Sequence, residues 1–403
     1  MAEAPHKHYD GIRDLIPADV LEEVRHSIGA ISGIVEVATD CNLACDYCFA
    51  HRPDMPIMPL PVMRKIIRKL LMQNGREMTT KFIWHGGEPL LAGLRFYEEV
   101  VAVQDEMARD GFKSANALQT NATLLEDDWI DFFREHSFGV GSSLDGLPHL
   151  HDAKRRSKAG SGTYHAVVEK LIRAKERGLT PGVICMITAE SLPFIEEIYA
   201  NLKSLDLPFT MSPITPTDCG PLSGLLLPNQ YTDALIRLFD CWFDDQNPTI
   251  SVNPPHSVLM GIIYGGLPLY CSADDSCLSK FISFLPDGTV YPCNRFAGNP
   301  DFFLGNIMDS DLKDVLNGES RIRLLQRTRE NIVSCSDCEN SLMCRGGCAY
   351  HAYSFHGDVM QSDYYCKSFF TAFNYYKERL ESSLCEASTN TDKEVGNNGN
   401  GNE

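Results

Sequence analysis

The sequence predicts an α/β fold: a parallel sheet flanked by helices, followed by a smaller cysteine-rich domain. Two observations carry this. Between Ile31 and Ile214, six short β-rich runs alternate with five segments of helical apolar spacing, as expected of consecutive βαβ units. From Cys271 to Cys366 the texture changes to eight cysteines among short elements and turns. Six strands fit a partial (β/α)6 TIM barrel, and an open doubly wound sheet fits the pattern equally well.

Residues 1–30 read as an N-terminal extension. The strands follow as "GIVEVA" (33–38), "KFIW" (81–84), "SANALQT" (114–120), "FGVGSSL" (138–144), "GVICMIT" (182–188) and "FTMSPI" (209–214). The intervening helices are "PVMRKIIRKLLMQNG", "LRFYEEVVAVQDEMARDG", "LEDDWIDFFREH", "TYHAVVEKLIRAKERG" and "LPFIEEIYANLKSL". Gly75, Gly111 and Gly178 stand where helix-terminating glycines are expected. A Pro/Gly-rich stretch at 212–230 breaks the rhythm before the helical "YTDALIRLFDCWFDD". The expected organisation is a partial barrel over 31–240, a bridging region over 241–270, the cysteine-rich domain over 271–380 and a polar, Asn/Gly-rich disordered tail over 381–403.

The 403 residues, 43% hydrophobic, suffice for a sizeable core. A formal net charge of −18 argues against a general nucleic-acid binder. No secretory pattern opens the chain and no apolar run is long enough to span a bilayer, so a cytoplasmic location is expected. Thiols there stay reduced, and metal ligation becomes the leading explanation for clustered cysteines.

The cysteines sort by spacing. Cys41, Cys45 and Cys48 form C-x3-C-x2-C just after the first strand; Cys271, Cys277 and Cys293 form a second group. Cys335, Cys338, Cys344 and Cys348 in "CSDCENSLMCRGGC", with Cys366, form a third. Four thiolates commonly hold a [4Fe–4S] cluster, so the eight late cysteines suffice for two. The first three suffice for a third cluster with one iron left open to a small molecule. A zinc ribbon would account for part of the C-terminal set, but not for the early triplet. That triplet sits where parallel α/β folds collect ligands, at the C-terminal end of a strand. The next strand ends in "HGGEP", where Gly86 and Gly87 would let backbone approach a ligand and Glu88 could accept from an ammonium group. Cys185 and Cys241 read as core thiols, and Cys219 as a loop thiol or hydrogen-atom donor.

At this point "CNLACDYC" resembles the cluster motif of radical S-adenosylmethionine enzymes, and "WHGGEPLL" resembles their methionine-binding segment. The late cysteines resemble the SPASM extension. Segments such as "LQTNATLL" and "GSSLDGLPHLHD" are similar to anaerobic sulfatase-maturating enzymes and their peptide-modifying cousins. The resemblance implies three [4Fe–4S] clusters and bound S-adenosylmethionine, whose reductive cleavage gives a 5′-deoxyadenosyl radical. It implies that Cys41, Cys45 and Cys48 hold the first cluster, that Tyr47 lies near the adenine, and that Gly86, Gly87 and Glu88 take the methionine amine. Ser143 and Arg155 match positions near the ribose or carboxylate. Cys271, Cys277, Cys293 and Cys348 would ligate one auxiliary cluster. Cys335, Cys338, Cys344 and Cys366 would ligate the other, and both would serve electron transfer. The implied partners are a precursor peptide or protein substrate and a reductant such as flavodoxin or ferredoxin, with no nucleic acid and no membrane.

Two positions depart from the sulfatase maturases. Asn294 stands where they place an aspartate base, and His85 where they usually carry glutamine. An amide has no basic lone pair near neutral pH. The expected function is therefore a radical peptide maturase that forms a crosslink, either a C–C cyclophane or a thioether. Formylglycine synthesis, epimerisation and a non-catalytic iron–sulfur or zinc scaffold are the alternatives. His85, Asn294 and Arg295 are the candidates for lining the substrate path, with His85 a candidate base.

Overall fold

The computed structural model describes residues 29–50, 52, 55–216, 223–264, 271–273 and 277–397, with side chains described as far as Cys385. Cys219, expected as a loop thiol or a hydrogen-atom donor, and nearly all of the N-terminal extension lie outside the described residues.

Six strands form the centre of a sheet: β1 (Ser32–Ala38), β2 (Thr79–Gly86), β3 (Lys113–Thr120), β4 (Gly139–Ser143), β5 (Gly182–Ile187) and β6 (Phe209–Pro213). All are parallel, and they lie side by side in chain order. A doubly wound sheet reverses its order part-way. Uninterrupted order is the winding of a barrel, so of the two arrangements the sequence allowed, the structure adopts the partial barrel. The sheet stays open.

Its helices are α1 (Leu60–Asn74), α2 (Leu94–Arg109), α3 (Asp127–Glu135), α4 (Pro148–Lys154), α5 (Tyr164–Glu176), α6 (Ile195–Ser204) and α7 (Pro228–Phe243). Each of the longer ones buries one apolar stripe, as Val62, Met63, Ile66, Ile67, Leu70 and Leu71 show for α1. That helix stops at Gly75, whose φ of 77° an L side chain rarely adopts and whose N–H donates to the Leu71 carbonyl.

Strand alternation divides the sheet into two faces. Val35, Val37, Phe82, Trp84, Leu118, Val140, Val183, Cys185, Phe209 and Met211 pack in the main core under the helices. The core reading of Cys185 is thus where the structure places it, while Cys241 is half-buried against the same core. The alternate residues face the lumen and mix polar side chains, among them Glu36, His85, Gln119, Ser143, Thr210 and Ser212, with apolar ones such as Ile34, Ile83, Ile184 and Met186.

Both edges gain strands that the sequence pattern did not announce. β7 (Val252–Asn253) pairs beside β6 and is followed by α8 (Pro255–Tyr264). β8 (Phe281–Phe284) pairs parallel with β1, and β9 (Thr289–Tyr291) and β10 (Gly305–Asn306) extend the sheet antiparallel. The cysteine-rich region therefore grows directly out of the barrel sheet. Strands of two to four residues carry too little alternation to be read from sequence.

The tail is corrected. The last helix runs from Cys366 to Asn397 and passes straight through the expected boundary at 381; residues 398–403 lie outside the described residues. Phe369, Phe373, Tyr376 and Leu380 anchor it in the interior. Once a helix is nucleated by such packing, each added polar residue gains a backbone hydrogen bond at little further cost.

Candidate active site

The segment after β1 is built around backbone contacts with the end of β2. The Gly87 N–H donates to the Ala38 carbonyl at 2.6 Å, and the Glu88 N–H to the Asp40 carbonyl at 3.0 Å. A Cβ on Gly86 would stand 2.1 Å from the Ala38 oxygen, and one on Gly87 2.1 Å from the Asp40 oxygen. The sequence alone makes the glycine pair room for a ligand. Its closest neighbour is the cysteine loop, which only glycines let descend onto the strand end. The loop's far side is stitched to the end of α4 and the residues after it by Ala44 N–H to Arg156 O (2.8 Å) and Asp46 N–H to Lys154 O (3.2 Å).

Between these two seams lie Cys41, Cys45 and Cys48. Cys41 is buried, and its sulfur accepts from the Leu43 N–H (3.4 Å) and Asn121 Nδ2 (3.5 Å). Burial holds the Cys41 thiol up at about 11, opposed by the Leu43 N–H and reinforced by the charges of Glu88 and Cys48. Burial likewise pushes Cys45 up to about 12, opposed chiefly by Arg155. Cys41 and Cys45 thus resist ionisation, and each feels the charge of Cys48 beside it. This donor set fits an iron–sulfur cluster, whose iron ions favour the thiolates. Among the described residues, no three His, Cys, Asp or Glu side chains converge closely enough for a single metal ion. Cysteines around a cluster need not converge on one point.

Glu88 is fully buried beside the loop. Its carboxylate accepts from Leu90 N–H (3.0 Å), Thr120 Oγ1 (2.7 Å) and Asn121 N–H (2.8 Å). Burial nevertheless raises it to about 7. Asn121 thus bridges Glu88 and Cys41, a link the sequence did not reveal.

Tyr47 and Arg155 meet at Asp145, which the sequence reading had not singled out. Arg155 grips the Asp145 carboxylate with Nε (2.9 Å) and Nη2 (3.1 Å), and its guanidinium lies 5.2 Å from the Tyr47 ring centre. The Tyr47 hydroxyl donates to the same carboxylate, as does the Met186 N–H (3.0 Å). Arg155 is 8% exposed, so it is not a solvated charge. A cavity of about 250 Å³ borders Tyr47, Asp145, Met186 and Thr188. Ser143 ends β4 on the lumen side and accepts from Gln119 Nε2 at 3.4 Å.

Four elements meet at the mouth of the lumen. The His85 Nδ1 accepts from the Gly86 N–H at 2.8 Å, which leaves the proton of the neutral ring on Nε2. Burial pushes the imidazole down to about 4. His85 is therefore arranged to donate a hydrogen bond, and the geometry weakens it as a base. Arg295 donates to Thr215 Oγ1 (2.9 Å), just after β6, and lies over the rings of Phe49 and Tyr350. Asn294 is 8% exposed, and its amide oxygen faces the Cys293 thiol at 3.3 Å. Arg52 ion-pairs with Glu36 of β1 and donates to the carbonyls of Phe49 (3.4 Å) and Ala297 (3.3 Å). It thereby ties the cysteine loop to the segment carrying Asn294 and Arg295. Sequence reasoning missed Glu36, although a lone acid in the apolar "GIVEVA" was an available signal.

The late cysteines fall into two neighbourhoods, and none of the described cysteines is in a disulfide. Cys348 feels the charge of Cys271, and Cys293 that of Cys348; Cys277, Cys293 and Cys348 pack against one satellite core. Cys344 and Cys366 each feel Cys335 and Cys338. Cys348 is drawn toward the first set despite its sequence proximity to Cys344. Asp363 holds this crossing: it accepts from the N–H groups of Cys348 and Tyr365, each at 2.7 Å, and from His351.

Comparison with known proteins gives this arrangement a family. The radical SAM superfamily description matches residues 35–199, and SPASM, an iron–sulfur cluster-binding domain, matches residues 271–339. A cysteine-type anaerobic sulfatase-maturating enzyme of Clostridium perfringens is 28% identical over 361 residues, covering 86% of this chain and 96% of that one. A serine-type counterpart from Bacteroides thetaiotaomicron is 26% identical over 367 residues, covering 84% and 87%. The solved structure described as native anSMEcpe with bound AdoMet and Cp18Cys peptide matches with a TM-score of 0.79 at 27% identity, covering 89% of this chain and 99% of that one. Streptococcus suis SuiB bound to precursor peptide SuiA shares the fold, with a TM-score of 0.62 at 16% identity, covering 90% and 82%. No helix among the described residues is long and apolar enough to cross a membrane. The chain belongs to the radical SAM superfamily, in the branch that carries a SPASM domain, and is an enzyme of [4Fe–4S] clusters and S-adenosylmethionine.

Proposed function

We propose that the chain is a peptide maturase that joins two side chains of a ribosomally made precursor, through a C–C cyclophane or a thioether bond. One observation carries this reading. The position at which the sulfatase maturases are expected to place their base is an amide here, Asn294, buried against Cys293. The peptide substrate class is carried over from the sulfatase-maturating relatives.

When bound, the cluster and S-adenosylmethionine supply a carbon radical strong enough to take a hydrogen atom from an unactivated C–H bond. The chain's residues do the rest. Cys41, Cys45 and Cys48 hold the cluster; Gly86 and Gly87 set the loop against β2. Glu88 receives the methionine ammonium, and Tyr47, Ser143 and Arg155 border the nucleoside. Cys271, Cys277, Cys293 and Cys348 hold one auxiliary cluster, and Cys335, Cys338, Cys344 and Cys366 the other. Arg295 and the His85 Nε2–H offer donors to a peptide backbone at the lumen mouth. A low-potential carrier such as flavodoxin or ferredoxin supplies the electron.

The test is anaerobic reconstitution, expected to load about 12 irons per chain, four per cluster. The loaded enzyme is given S-adenosylmethionine, dithionite and three synthetic peptides: a sulfatase-type peptide with cysteine, its serine version, and one rich in Trp, Tyr and Phe. The expected product is a peptide lighter by two hydrogens, unreactive to hydrazide probes and crosslinked in tandem mass spectra. A hydrazide-reactive aldehyde in either sulfatase-type peptide would return the chain to formylglycine synthesis.

A further inference from the structure

Crosslinking removes two hydrogens from the substrate. One leaves as a hydrogen atom to the deoxyadenosyl radical. When the carbon radical bonds to an aromatic carbon or a thiol sulfur, one electron and one proton must still depart. An oxidised auxiliary iron–sulfur cluster held by the late cysteines would accept the electron. The proton needs an acceptor, and neither Asn294 nor His85 is arranged as one.

We propose that Glu36 is this proton acceptor, the catalytic base of the lumen. Three observations point to it. Glu36 lies on β1 on the lumen face, in register with His85 of β2, so both side chains project toward the same space. Among the described lumen residues of β1 to β6 it is the only carboxylate. Its side chain is fully buried, and while Oε2 pairs with Arg52, Oε1 has no hydrogen-bond partner. A buried carboxylate oxygen without a donor calls for an explanation, and an incoming proton supplies one.

The charged and titratable groups around it are Arg52 from the cysteine loop, His85 from β2, Tyr291 from β9, and Cys293 and Arg295 beyond it. β8 brings none. Burial outweighs Arg52 and lifts the carboxyl to about 7, a value suited to a base near neutral pH. Arg52 also connects the site to its surroundings. The cation that fixes Oε2 is the one bonded to Ala297, so the base is oriented by the same contact that seats the SPASM segment over the lumen.

This inference rests on the crosslinking reading, and its test separates the two. Glu36→Gln keeps an acceptor for Arg52 and removes the base. In the loaded enzyme, with whichever of the three peptides wild type converts, product should fall about 100-fold. Iron content, the reduced-cluster EPR signal and 5′-deoxyadenosine formation should stay within about twofold of wild type, and Glu36→Asp should recover part of the product. The infrared spectrum of the loaded, substrate-free enzyme should show a protonated carboxyl band that titrates near pH 7 and is missing in Glu36→Gln. Product formation by Glu36→Gln at the wild-type rate overturns the proposal. So does loss of iron in both variants, which would make Glu36 a structural partner of Arg52. If wild type makes deoxyadenosine but leaves all three peptides unchanged, the crosslinking reading fails instead, while the infrared band still reports on Glu36.

Discussion

Gly87 shows how narrowly one residue sets the geometry of the site. A methyl group there would overlap the Asp40 carbonyl, and nothing nearby is a flexible side-chain end that could yield. Gly87→Ala should therefore lower iron incorporation at the first site several-fold while leaving the auxiliary clusters loaded, as read by iron analysis and EPR. Glu88 carries a pH signature. The folded protein holds its proton up to about pH 7, whereas the unfolded chain loses it near 4.5. Between these values the folded state binds more protons, so the Glu88 contribution to stability falls as pH rises. Urea denaturation of the cluster-free protein should show wild type losing about 3 kcal/mol relative to Glu88→Gln between pH 4.5 and 7. His85 and His151, both lowered to about 4, act in the opposite direction below pH 6.5, which is why the comparison must be with the variant. Motif residues were legible because their spacing is local. Asp145, Asn121 and Arg52 were not, because each acts through partners far along the chain, which spacing does not encode.

At the level of elements, the residue after α4, the strand β5 and the cysteine loop are pinned to one carboxylate just beyond β4. Asp145 takes two bonds from Arg155, one from Tyr47 and one from the Met186 backbone. Asp145→Asn would leave the buried Arg155 cation without its partner, a change that typically costs 3–5 kcal/mol. The expected outcome is a loss of about that size in chemical denaturation, together with weaker S-adenosylmethionine binding by equilibrium dialysis. Arg155→Lys should not restore binding, since a lysine cannot reproduce the two-pronged grip. The six barrel strands were found within a few residues of their observed ends because each is long enough to alternate. β7 to β10 were not, since two to four residues give no period, and their positions depend on which edge of the sheet is free.

Across the whole molecule, the main core runs through both domains. The final helix lays Phe369, Phe373 and Tyr376 against α7, with the Tyr376 ring stacked 4.1 Å from that of Phe239. Tyr365, Ser368 and Tyr376 donate to carbonyls of Leu226, Pro228 and Leu235, and Arg379 pairs with Asp240 and Asp244. Tyr376→Ala should cost about 3–5 kcal/mol. Calorimetry should then show the SPASM region melting ahead of the barrel, where wild type gives one transition. The sequence marked the two domains by their different textures, but texture says nothing about a shared interior.

The pairing of β1 with both β2 and β8 also has a consequence for synthesis. One edge of β1 meets its partner soon after it leaves the ribosome. The other must wait for Phe281, most of a chain length later. Throughout that interval the strand that leads into the cysteine loop presents unpaired backbone, which invites association with other nascent chains. The last domain to be made is thus also the cover for the first strand, and a chain interrupted before Phe281 should need a chaperone to stay in solution.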